Sequence, residues 1–266
     1  MDLQLKDHAA IVFGGGGGIG CHIARVLGAE GARVAIADRD EAAACREAER
    51  IGGGAFGMAC DLSDRSQVRA AVDRTVERFG RLQICVQSVG LTLANYLPDI
   101  SDRDVDITFS VNMRGSLWVA QAAVEPMRQG GYGRLVFIGS GSGMKGSAGL
   151  SVYSASKFFI RGLAQAVGLE VGPAGVTCNV VCPSDVYPEG DAPAQTWQDP
   201  TLVRISCEKE GVADLDELRR KRIAKNPLRR ACTVQDVASL TAFLCSPLAG
   251  FINAQTIGLN GGGLPT

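Results

Sequence analysis

The segment Tyr153-Ser154-Ala155-Ser156-Lys157 sets a phenol and an ammonium four residues apart. The apolar spacing around it predicts a helix over 152–171, and on a helix residues i and i+4 share one face. A free tyrosine ionises near ~10, too high for a base at neutral pH, but a cation beside a phenol favours the ionised form. Tyr153 is therefore a candidate acid/base that exchanges a proton with an alcohol or ketone oxygen, with Lys157 as its partner. Ser140 lies thirteen residues earlier, at the end of a predicted strand. There its hydroxyl can orient a substrate oxygen and stabilise developing negative charge, and Ser142 is a neighbouring candidate for the same task. Asn112, at the start of a predicted helix, is a candidate to hold a water that relays protons to Lys157. Singly, these are also an exposed helix pair, turn serines and a helix cap; their combination and order are what is specific.

Other chemistries are hard to build from this chain. Its only histidines are His8 and His22, both in or before the first strand-helix unit. A Ser-His-Asp triad needs a histidine beside its nucleophile, and histidine-rich zinc chemistry needs several. Cys178 and Cys182 straddle a predicted strand end, so no metal site is expected.

A second kind of signal lies near the N-terminus. Val12-Phe13-Gly14-Gly15-Gly16-Gly17-Gly18-Ile19-Gly20 joins a predicted strand to a predicted helix. Glycines let such a turn take positive φ angles and bring backbone close to a pyrophosphate, which the free amides of the helix N-terminus favour. Gly14, Gly17, Gly18, Ile19 and Gly20 are thus candidate dinucleotide contacts. Asp38 ends the next strand, eighteen residues after Gly20. An acid there accepts hydrogen bonds from an adenosine ribose diol and repels a 2′-phosphate, which favours NAD over NADP. Arg39 argues the other way, and a plainer role for Asp38 is to cap the following helix. Asp61 and Leu62, after the third strand, are expected beside the adenine. Lys157 can also hydrogen-bond the nicotinamide ribose, and the positive charge of the oxidised ring would assist proton removal at Tyr153.

The elements that must position these residues alternate along the chain. Strands are predicted at Ala9–Phe13, 33–37, 55–59, 82–86, 134–138, 176–181 and 254–259, with helices at 19–30, Glu41–Ile51, 66–79, 102–109, 113–128 and 152–171. Continuous apolar strands are buried on both faces, so the alternation predicts an α/β fold: one Rossmann-type doubly wound domain over 1–266 with helices on both faces of the sheet. Residues 184–226 break the rhythm. They hold a Trp197-Gln198-Asp199-Pro200 turn and a charged helical stretch over 215–224, and are expected to form a lid or substrate loop.

Composition narrows the partners. A formal net charge of −1 gives no support for nucleic acid, and no apolar stretch is long enough to span a bilayer. Nine cysteines without a Cys-x-x-Cys pair, behind a short polar start with no signal-peptide pattern, are expected to be reduced thiols in a cytoplasmic protein.

Across nearly its whole length, and least in 184–226, the chain resembles the short-chain dehydrogenase/reductase family. The resemblance rests on Gly14-x-x-x-Gly18-Ile19-Gly20, Asp61-Leu62, Asn112, Ser140, Tyr153-x-x-x-Lys157 and Asn260-Gly261-Gly262. It implies a seven-stranded parallel Rossmann sheet, an Asn112-Ser140-Tyr153-Lys157 tetrad, pro-S hydride transfer and a homotetramer built through the last helices and strand. It also places Val89, Gly90 and Val186 against the cofactor. The chain departs from the pattern at Phe13, where a threonine is usual, at Gln87-Ser88-Val89-Gly90, at Pro183-Ser184 and at Tyr187. Three readings follow. The first is an NAD(H)-dependent oxidoreductase of secondary alcohols and ketones, with a polyol, sugar derivative or hydroxyacid as substrate. The second is an NADPH-dependent ketone reductase, and the third a non-enzymatic NAD(H)-sensing protein. Arg204, Lys209, Arg219, Arg220, Lys221 and Arg222 either meet an acidic or phosphorylated substrate or form a solvated helix face.

Overall fold

Apolar runs such as Ala-Ala-Ile-Val-Phe have no polar side to offer water, and the fold buries them completely. The computed structural model describes residues 2–187 and 195–264. Seven parallel strands form one sheet in the order β3-β2-β1-β4-β5-β6-β7. They are β1 (Ala9–Phe13), β2 (Arg33–Asp38), β3 (Phe56–Ala59), β4 (Ile84–Gln87), β5 (Gly133–Ile138), β6 (Val176–Pro183) and β7 (Thr256–Leu259). Alternate residues of each strand enter opposite core layers. Ile11 and Phe13 face Val68, Val119 and Ile160, on α3 (Arg65–Phe79), α5 (Gly115–Gln129) and α6 (Ser151–Val171). Ala10 and Val12 face Ile23, Ala44 and Val237, on α1 (Gly18–Ala29), α2 (Glu41–Ile51) and α9 (Val234–Cys245). The doubly wound α/β architecture is thus as the sequence predicted. All nine cysteines are free thiols, seven of them buried.

Two segments differ from the sequence reading. The stretch taken as two helices with a gap is continuous: α4 (Asp102–Thr108) runs through a π-helical turn, Phe109–Arg114, into α5. Asn112 therefore sits inside a helix and is not a helix start. No side chain caps the start of α5, because the preceding turn already supplies helical backbone. The second difference is in 184–226, which contains an unforeseen helix, α7 (Pro200–Glu210), as well as α8 (Leu215–Lys225). Asp199 caps α7 by accepting from the Thr201 amide at 2.8 Å, and Pro200 stands at its first position, where no amide is needed. These helices share a small core in which Ala94, Tyr187, Trp197, Leu202, Ile205 and Leu218 meet. Tyr187 and Trp197 stack with centroids 5.0 Å apart.

Candidate active site

Parallel strands end together, so the loops after them converge on one rim, on either side of the point where chain direction across the sheet reverses between β1 and β4. A cavity of about 1070 Å³ opens there. Gly14, Gly17, Gly18 and Ile19 line it from the β1–α1 turn, Asp38 from β2, Asp61 and Leu62 from beyond β3. Val89 and Gly90 line it after β4, Ser140 and Ser142 after β5, Tyr153 from α6 and Val186 after β6. Gly20, Asn112 and Lys157 lie behind this wall.

The glycine turn has the shape that a pyrophosphate needs. Gly14 and Gly18 have φ of 77° and 53°, and a Cβ on Gly20 would lie 2.1 Å from the Gly14 carbonyl oxygen. Only glycine lets the first turn of α1 close over the strand end. Helix α1 begins without a side-chain cap and without an acid in its first turn, leaving its amides for an anion. Asp38 accepts from the Gly16 amide at 2.9 Å and from the Asp40 amide at 3.1 Å. It is Asp40 that caps α2, accepting from the Ala43 amide at 2.9 Å. The capping role considered for Asp38 thus belongs to its neighbour, and Asp38 is left on the cavity wall. Asp61 is braced by Ser63, whose hydroxyl donates to it at 2.7 Å. Burial, then the charges of Asp61, Asp64 and Asp38, push the Cys60 thiol up to about 12, so it lines the cavity in its neutral form. These features fit a dinucleotide.

The positions that depart from the family pattern are tied into the fold by backbone ladder bonds, a Gln87 contact and packing. Phe13 is fully buried in the sheet core. Backbone holds the loops in place of a hydroxyl: Gly14 donates to Ala37 at 2.8 Å and Ser88 to Phe13 at 3.0 Å. Gln87, paired in register with Phe13, turns back to donate to the Val89 carbonyl at 2.9 Å. Tyr187 is buried against α7 and α8, stacked on Trp197.

The residues expected to handle protons form two layers. Tyr153 is half-buried on the cavity wall, and Lys157, 3 % exposed, lies beneath it with Nζ 5.8 Å from the tyrosine ring centroid. Lys157 donates to the Ile138 carbonyl at 2.9 Å, and a Cβ on Gly90 would come within 2.9 Å of Nζ. Ser140 accepts from the Ser142 amide at 3.1 Å and so starts the short 3-10 turn Gly141–Gly143. Asn112 does something the sequence did not suggest. Its side chain accepts from the Leu91 amide at 2.8 Å and donates to the Leu91 carbonyl at 2.9 Å, clamping the loop after β4. It also donates to Ser156 at 3.0 Å, and Ser156 in turn donates to the Tyr153 carbonyl at 2.7 Å. The Asn112 side chain thus commits both amide hydrogens to protein, and it couples α6 to the loop after β4.

Sequence reasoning missed Ser156, Gln87 and Arg161. Arg161 donates to the Gly143 carbonyl at 2.8 Å and fixes the turn that follows Ser140. Its only signal was its spacing, four residues after Lys157 and on the same helix face. Among the described residues there is no cluster of metal-ligating side chains.

The comparisons with known proteins agree with this geometry. Residues 8–199 match the family model described as short chain dehydrogenase, and residues 199–263 match one described as Enoyl-(Acyl carrier protein) reductase. The chain is 33% identical over 264 residues to the 4-formylbenzenesulfonate dehydrogenase of Comamonas testosteroni, covering 98% of this chain and 99% of the relative. It is 30% identical over 256 residues to the 3-oxoacyl-[acyl-carrier-protein] reductase MabA of Mycobacterium tuberculosis, covering 96% and 92%. Among solved structures, the sorbitol-6-phosphate 2-dehydrogenase of Erwinia amylovora superposes with a TM-score of 0.87 at 30% identity, covering 97% of this chain and 100% of the other.

Proposed function

The chain belongs to the short-chain dehydrogenase/reductase family of oxidoreductases, and on that premise we propose that it moves a hydride between NAD(H) and a secondary alcohol or ketone, with Tyr153 as its acid/base. The observation that carries the reading is the stacking of functions in depth: Tyr153 on the wall of the cavity that the glycine turn also lines, and Lys157 sealed behind it. Bound nicotinamide would supply the hydride or accept it. In oxidation Tyr153 takes the proton of the substrate hydroxyl; in reduction it returns that proton to the carbonyl oxygen. Lys157 holds a positive charge below the phenol, anchored by the Ile138 carbonyl. Ser140 steadies the substrate oxygen, with Ser142 beside it on the same turn. Asn112 keeps the Leu91 loop against Tyr153 through Ser156.

Asp38 supports NAD as the cofactor, because its carboxylate stands at the cavity wall free of a capping duty. A second reading, with NADPH, draws on Arg39, which lines the same wall. Titration of the protein with NADH and with NADPH separates them. We expect tighter NADH binding, and expect Asp38→Ala to narrow the preference about tenfold or more, the size of a lost charged hydrogen bond. Equal or inverted preference in the parent chain would favour NADPH. Failure to bind either cofactor would favour a protein without dehydrogenase activity. The substrate class in this reading is a polyol, sugar derivative or hydroxyacid, in line with the sorbitol-6-phosphate relative. The reading also takes the chain as one domain over 1–266, with 184–226 as its substrate loop, working as a cytoplasmic homotetramer. Among the described residues no helix is long and apolar enough to cross a membrane.

A further inference from the structure

The cavity extends past Tyr153 beneath α7. That helix turns Leu202, Ile205, Ser206 and Lys209 toward it, a three- and four-residue spacing that makes one stripe. The stripe is apolar over its first turns and ends in a hydroxyl and an ammonium. The loop after β5 also lines the cavity, with Ser147 and a second ammonium, that of Lys145. We propose that the substrate, besides its reacting alcohol or ketone, carries an oxyanion group held by Lys209 and Lys145; the inference rests on the oxidoreductase reading above.

The argument is one of charge left over. Two carboxylates, Asp185 and Glu210, line this end of the cavity, and both are already matched. Arg222 meets Asp185 at 2.7 Å, and Lys225 meets Glu210 at 2.7 Å, with Arg222 a further neighbour at 3.9 Å. Lys209 and Lys145 make no ion pair among the described residues. Among the described residues Lys209 donates only to the Ala148 carbonyl, at 3.2 Å. That bond ties α7 to the loop that carries Lys145 and leaves the remaining ammonium hydrogens uncommitted. Partial burial, and then repulsion from Arg222, hold the Lys209 ammonium below the ordinary lysine range. An anion beside it would offset the repulsion from Arg222 and favour the charged ammonium. Ser206, buried on the same stripe, offers a hydroxyl to the same group. The apolar turns formed by Leu202 and Ile205 suit the carbon chain between the two polar ends.

The test compares acids with their neutral esters. Oxo acids with the ketone next to a terminal methyl group, in chains of increasing length, are titrated by calorimetry into the full-length protein, with and without saturating NADH. Their methyl esters are titrated in parallel. We expect the best acid to bind about tenfold or more tightly than its ester, the size of a charge-assisted hydrogen bond. Lys209→Gln, and separately Lys145→Gln, should bring the acid toward the ester's level. The same chains bearing a sulfonate or a phosphate identify which oxyanion fits best. Acid and ester binding alike, neither binding, or a loss on Lys209→Gln that is equal for both, would overturn the proposal. The cofactor-free titration keeps the two readings apart. An acid preference that vanishes with Lys209→Gln, in a protein that binds no NADH, would support the lysine site and sink the oxidoreductase reading instead.

Discussion

At the scale of single residues, the site depends on which groups are free to react and which are already committed. The Tyr153 hydroxyl has no protein hydrogen bond among the described residues, while Asn112, Ser156, Lys157 and Arg161 are all tied to backbone carbonyls. On the proposed mechanism, Tyr153→Phe removes only the proton route. Its turnover should fall by at least about a hundredfold, while NADH affinity stays within about twofold. Steady-state assays paired with NADH fluorescence titration measure both, and retained turnover would reject Tyr153 as the acid/base. At this scale the sequence was partly legible. The Tyr-x-x-x-Lys spacing alone puts Tyr153 and Lys157 on one helix face. The division of labour between Asp38 and Asp40 was not legible, because both sit near the helix start and only backbone geometry decides which one caps it.

At the scale of elements, strands were easier to read than helices. A strand buried on both faces leaves a plain apolar run, as in β1 and the middle of β2. Helix α7 leaves no such mark, since Pro200-Thr201-Leu202-Val203-Arg204 reads equally well as a turn, and Leu202 and Ile205 find their packing partners in a small core formed with Tyr187, Trp197 and Leu218. The π turn at Asn112 was hidden for a related reason: one extra residue in a helix looks like a break in its periodicity. Helix α9 offers a pH prediction. Asp236 closes a capping box with Thr233 and is paired with Arg230. The Arg230 hydrogen bond, ahead of the Thr233 contacts, holds its carboxyl down to about 2. The folded value is the lower one, so the stabilisation is fully present above about pH 4 and is lost as pH falls through about 2. Discounted for the solvent that reaches the pair, it contributes about 1 kcal/mol. Asp236→Asn should therefore flatten the fall in Tm across that acidic window. An unchanged slope would mean the ion pair carries no net stability.

At the scale of the whole molecule, the sheet has an unguarded end. β7 is the last strand in the order, its side chains only partly covered. Near it, Asn253 binds the Gly168 carbonyl at 2.8 Å and brings the end of α6 beside the loop before β7. Leu169, Leu248 and Phe251 are exposed in these segments, Phe251 at 104 %. An open edge flanked by apolar side chains suits pairing with another copy. Phe251→Asp should shift the sedimentation profile of the proposed homotetramer toward smaller species, whereas an unshifted profile would move the interface elsewhere. The nine free thiols have a consequence of another kind. Most are sealed in the core layers and in the small core around Tyr187 and Trp197, so alkylating reagents reach them only when the region around each one opens. The chain thus carries its own chemical clock: the order in which its cysteines are labelled is the order in which its parts come apart. A chain that opens fully in air exposes nine partners for disulfides it never uses when folded. Reversible unfolding of this protein is therefore a property of the reducing conditions around it as much as of the fold.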